Sequence, residues 1–177
     1  MNSSMSKIQK ISKAGLILSK IVLWCAYMGL ISCALILIVQ IFAGNSKIVG
    51  DSSIVLDMIK DKSKLNVGTI YTALTIGIIM CITKIIHARL EVKYFNAELQ
   101  AGTPFKLELV EQLRKLGIQT IVIPLIGVIL SNVAYEIFKH FYINIGEMDI
   151  SNSVSIGLGI VYLVISLLCR AAIEEKE

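Results

Sequence analysis

The stretch Val67–Gly117, VGTIYTALTIGIIMCITKIIHARLEVKYFNAELQAGTPFKLELVEQLRKLG, decides how the chain is read. Its first part, Val67 to Thr83, is uncharged and long enough to cross a bilayer. With no proline to stop it, the helix is expected to continue through the charged segment His87 to Gln100. One helix over these 34 residues measures about 51 Å against a hydrocarbon core of about 30 Å, so about 20 Å should project beyond it. On the projecting part Leu90, Tyr94 and Ala97 form one apolar stripe, and Val92, Phe95 and Leu99 form another. A helix with that much apolar surface outside lipid needs something to pack on.

The next residues supply a turn. Gly102 suits the left-handed C′ position, Thr103 an N-cap, and Pro104 the first helical position, where a missing N–H is no loss. A helix stop and a helix start are therefore written into three residues. The returning helix, Lys106 to Leu116, sets Leu109, Val110, Leu113 and Leu116 beside Phe105, so its stripe can lie on Tyr94, Phe95 and Leu99. Gly117 then marks an expected bend into the next apolar run.

Working outward, four runs lack Asp, Glu, Lys and Arg: Ile21–Ser46, Leu65–Thr83, Leu116–Tyr135 and Ile150–Cys169. Each is near the roughly 20 residues that span a bilayer, and in lipid only a helix satisfies its own backbone over such a run. A chain of 177 residues with 55% hydrophobic and 17% charged residues fits that class and not a soluble domain. The fold class is thus an all-α membrane protein, one integral domain over residues 1–177. Its four transmembrane helices are placed at about 16–43, 67–86, 118–138 and 153–170, with a cytoplasmic helical hairpin, 87–116, between spans two and three. The first run is too long for a signal-peptide core and is read as a retained span. Of the 17 Lys and Arg, 12 fall on the side of the N-terminus and hairpin, which places both termini in the cytoplasm.

The flanking segments carry less. Residues 1–14 read as a polar tail with Lys7, Lys10 and Lys13, a basic turn that sets topology or rests on headgroups. Gly29 and Cys33 form a small-xxx-small pair in span one. In the outer loop, Asp51 caps an expected two-turn amphipathic helix. Pro124 should kink span three, where Asn132 and Glu136 share a face one turn apart. Intramembrane polar residues are candidates for function, for an interhelical hydrogen bond by Asn132, or for interfacial anchoring by Glu136. Ser153, Ser155, Gly157 and Gly159 should let span four pack closely.

Phe95, then Gly102-Thr103-Pro104-Phe105, then Leu113-Arg114-Lys115-Leu116-Gly117 resembles a family of small four-span bacterial membrane proteins, catalogued as domain of unknown function 2975. Gly157-Leu158-Gly159-Ile160 and Ser166-Leu167-Leu168-Cys169-Arg170 are similar to its last span. The resemblance implies a bacterial plasma membrane, often beside a small helix-turn-helix regulator, and no chemistry. The chain departs from that pattern at Lys106, where the family usually has Ser or Thr, and in a shorter acidic tail after Arg170.

No motif for catalysis is present: the sequence holds no phosphate loop, no dinucleotide fingerprint and no HExxH pair. His87 and His140 fall at opposite expected membrane faces, and Cys25, Cys33, Cys81 and Cys169 make no C-x-x-C pair, so no metal, cofactor or disulfide is expected. Glu91, Glu98, Glu108 and Glu111 dilute the basic hairpin, which argues against nucleic acid. The sequence therefore points to a non-enzymatic protein of the lipid bilayer. Its hairpin would dock a cytoplasmic regulator or membrane-complex partner through Tyr94, Phe95, Leu99, Gly102, Thr103, Pro104 and Phe105, and an oligomer is compatible with this reading. The alternative is a small transporter, channel-like or immunity-type protein that uses Asn132 and Glu136.

Overall fold

The computed structural model describes residues 3–43, 66–103, 106–148 and 156–175. Among them lie four helices: α1 (Ser3–Ala43), α2 (Val67–Ala101), α3 (Leu107–Phe141) and α4 (Ile156–Glu174). Each contains a stretch long and apolar enough to cross a membrane. Large apolar side chains face outward along them, Trp24 at 70% and Phe42 at 86% exposure among others. Water does not tolerate so extended an apolar surface, and lipid does. The chain is an all-α protein of multi-pass membrane type.

The helices differ from expectation at their ends. The tail expected over residues 1–14 is helical from Ser3 and continuous with span one. No proline interrupts it, and its polar side chains find partners on α2: Gln9 Nε2 donates to the Gly102 carbonyl at 3.4 Å and Ser12 Oγ to Glu98 at 2.8 Å. α2 ends as its sequence indicates. Gly102 has φ 71° and its N–H bonds the Glu98 carbonyl at 3.1 Å, the left-handed cap. α3 is described from Leu107, and the N–H groups of Leu109 and Val110 both bond the Lys106 carbonyl. Pro104, Phe105 and the outer-loop helix expected from Asp51 lie outside the described residues. α3 runs unbroken through Gly117 and Pro124.

Two compact units share these helices. The first comprises Met1–Cys25, Lys84–Ile123 and Ser155–Glu177. Its core is Tyr94, Leu113 and Leu116, with Leu90, Phe95 and Tyr162 packed on it, so α2 is met there by α3 and α4. α3 and α4 touch backbone to backbone: a Cβ on Gly159 would lie 2.9 Å from the Gly117 carbonyl oxygen and 2.5 Å from Ile121. The close packing expected of span four falls on Gly159, whereas Gly157 faces open space.

The second unit comprises Ala26–Thr83 and Pro124–Val154. One core cluster joins Cys33 to Ile70, Ala73 and Leu74, and another joins Ile76 and Met80 to Val128 and Tyr135. Asn66 begins α2 there. Its Oδ1 accepts from the Thr69 N–H at 2.7 Å, and its Nδ2 donates to the Asn144 carbonyl at 2.8 Å, so one side chain caps the helix and ties down the turn after α3.

Candidate functional site

The site begins with a seam along α1. The buried positions of that helix are Ser12, Ser19, Ala26, Cys33 and Gln40, one every seven residues. None is a large aliphatic residue. The broad aliphatic surface of α1 faces outward, and its narrow inner edge is small or polar, which lets a neighbouring helix approach closely.

In the first unit α2 meets this seam in antiparallel register. Ser12 Oγ donates to Glu98 Oε1 at 2.8 Å, and Ser19 Oγ donates to Glu91 Oε2 at 2.9 Å. Between them Phe95 lies over Gly15, its ring atoms 2.7–3.1 Å from where a Cβ on Gly15 would stand. In all three pairs the residue numbers add to the same total, as antiparallel helices in one register require. The second unit repeats that total at Gly29, where a Cβ would lie 3.1 Å from Cys81 Sγ.

Glu91 is 7% exposed and gathers partners from two other helices. Besides Ser19 it accepts from Tyr162 Oη of α4 at 3.1 Å, and His87 Nε2, one turn back on α2, stands 3.8 Å from it. His87 Nε2 also lies 2.9 Å from Thr120 Oγ1 of α3. The Thr120 hydroxyl donates its single proton to the Leu116 carbonyl at 2.8 Å, so the hydrogen between threonine and imidazole belongs to His87. One polar cluster thus holds a side chain from each of the four helices, every member hydrogen-bonded. The second unit holds the opposite case: Gln40 Oε1 and Ser131 Oγ are buried there without a partner.

Glu98, seven residues on, is 8% exposed. It lies beyond residues 67–86, the stretch expected from the sequence to cross the hydrocarbon. Burial pushes its carboxyl above the ordinary 4.5, against the pull of hydrogen bonds from Ser12 and Tyr94. Ser12 Oγ is also 3.1 Å from the Ile8 carbonyl. The serine can therefore give its proton to an ionised Glu98, or give it to Ile8 and accept from a protonated Glu98. The carboxyl borders a cavity of about 580 Å3 in the same unit, walled by Ile11 and Leu18 of α1, Phe95 of α2, Leu113 of α3 and Ile165 of α4.

The residues singled out in the sequence divide between the two units. Tyr94 is buried in the core of the first unit and Phe95 is covered by α1 at Gly15. Leu99 and Thr103 are half-buried, and Gly102 is the helix cap. The apolar stripe expected to take the returning helix is packed within the chain, by Leu113 and Leu116 of α3 on Tyr94 and by α1 at Gly15 on Phe95. Asn132 and Glu136 belong to the second unit and face outward. Asn132 Nδ2 bonds the Val128 carbonyl of its own helix at 2.9 Å, in place of the expected interhelical bond, and Glu136 lies 3.6 Å from Lys139. Among the described residues, no three His, Cys, Asp or Glu stand close enough to hold a metal ion.

Sequence reasoning missed Ser12, Ser19, His87, Glu91, Glu98, Thr120 and Tyr162 as a set. The signal available was the heptad seam of α1 together with two glutamates seven apart on α2.

No protein-family model, curated protein or solved structure matches the chain.

Proposed function

We propose that the protein is a non-enzymatic, multi-pass protein of a bacterial plasma membrane, and that its first unit binds a small amphipathic molecule taken up from the membrane. The termini and the 87–116 hairpin lie in the cytoplasm in this reading, in keeping with 12 of 17 cationic residues on that side. The observation that carries it is the cavity beside Glu98, whose size of about 580 Å3 falls within the roughly 300–1,000 Å3 of small-molecule sites. Its walls are apolar, its rim residues Ile11 and Leu18 are open to the surroundings, and a single carboxyl offers a polar anchor.

A cytoplasmic regulator or membrane-complex partner would then read occupancy on the outer face of the hairpin. Leu107 is exposed there among Lys106, Glu108 and Glu111.

Photolabelling tests this reading. A diazirine-bearing decanol applied to the full chain in nanodiscs should label Leu113, which is 4% exposed and lines the cavity. Excess unlabelled decanol should compete that label away. Labelling confined to outward residues that do not line the cavity, such as Trp24 and Leu168, would refute the binding site.

A further inference from the structure

We infer that the molecule taken by this cavity is a lipophilic cation: an amine or onium ion carrying an alkyl or aryl body. The inference rests on the binding role proposed above and names the charge of the ligand. Among the described residues lining the cavity, Glu98 is the one carboxylate, and no Lys, Arg or His stands with it. An anionic amphiphile would therefore meet a like charge in an apolar setting with nothing to offset it. A cation meets the opposite charge where water is scarce and the attraction is strongest.

The carboxylate has capacity to spare. It offers about four acceptor positions, of which Ser12 takes one. The aromatic lining points the same way. Tyr94, Phe95 and Tyr162 all border the cavity, and Tyr94 and Phe95 meet edge to face with centroids 5.5 Å apart. Ring faces beside a carboxylate are the surroundings in which ammonium and onium groups are held. The remaining walls, Leu18, Leu113 and Ile165 among them, suit the apolar body.

Competition against the diazirine-decanol label at Leu113 tests the charge preference, using decylamine, decanol and decanoate in nanodiscs at neutral pH. Decylamine should compete at a concentration at least tenfold lower than decanol, and decanoate should be weakest. In Glu98→Gln the advantage of the amine should fall to about twofold or less with decanol unchanged, while Glu111→Gln, at an exposed site on α3, should keep it. Should Glu98→Gln not fold, carbodiimide modification of Glu98 in the wild-type chain separates the same outcomes. Decylamine should slow it at least tenfold more effectively than decanol. Equal competition by amine and alcohol, or an amine preference that survives Glu98→Gln, overturns the cation and leaves the amphiphile site standing. No saturable label at Leu113 overturns both.

Discussion

Ser12 of α1 and Glu98 of α2, 86 positions apart in the chain, share a hydrogen bond of 2.8 Å, and Ser19 and Glu91 repeat it one heptad along at 2.9 Å. These two rungs turn a basic N-terminal segment into a wall of the first unit. They also place two carboxylates on the inner side of a helix whose charges otherwise face out.

Removing a rung should be felt as lost stability. Ser19→Ala leaves Glu91 with Tyr162 and the more distant His87, and an interhelical hydrogen bond of this kind is worth about 0.6–1.7 kcal/mol. Thermal unfolding in detergent should show Ser19→Ala and Glu91→Ala each destabilising. The double variant should fall short of their sum, because both remove the same bond. Full additivity would mean the rung contributes nothing.

The glycine contacts rank three substitutions. Gly159→Ala drives a methyl against the Gly117 backbone oxygen and Ile121, and should cost the most, about 1–3 kcal/mol. Gly15→Ala meets only the ring of Phe95, a side chain that can move, and Phe95→Leu should recover most of the loss. Gly157→Ala meets nothing within 4 Å and should be close to neutral. Unfolding midpoints of the three single variants check the order.

The raised Glu98 carboxyl sets a pH dependence. Because the folded chain holds this proton more tightly than the unfolded one, stability should rise as pH falls from the raised value towards the ordinary 4.5. Above the raised value that contribution is gone. The comparison is with Glu98→Gln, which removes the titrating group at residue 98 alone. The variant should lose the part of the pH slope that belongs to residue 98, measured as unfolding midpoint against pH. An unchanged slope would show that burial does not perturb Glu98.

Asn132→Leu and Glu136→Gln should be mild. The asparagine satisfies itself on its own helix, and the glutamate is exposed beside Lys139. Each variant should stay within about 0.5 kcal/mol of wild type, and labelling at Leu113 should be unaffected. A large loss of binding in either would return span three to the centre of the function.

Part of the fold is legible in the sequence because it is local. Four charge-free runs require helices in lipid whatever else the chain does, and Gly102 marks the end of α2 within its own turn. The candidate site is not legible there, because its bonds are between helices. Glu91 and Glu98 lie among Arg89, Lys93 and Gln100, and local pattern assigns them to solvent. Partners distant in the chain make them interior: the serines 72 and 86 residues away, and Tyr162 at Glu91. Asn132 misleads in the other direction. A polar residue in a span suggests a partner helix, but a bond to the carbonyl four residues back removes that need. The contact of α1 with Phe95 and Glu98 is hidden as long as α1 is expected to begin near Leu16, whereas its earlier turns supply Gly15 and Ser12.

The register of α1 against α2 is the claim on which the site depends, and thiol cross-linking measures it most directly. In a chain cleared of native cysteines, a short bis-methanethiosulfonate reagent should join Ser12→Cys to Glu98→Cys and Ser19→Cys to Glu91→Cys. It should leave the mismatched pair, Ser12→Cys with Glu91→Cys, about 10 Å out of step, unjoined. Equal joining of matched and mismatched pairs, or joining of the mismatched pair alone, would contradict the account.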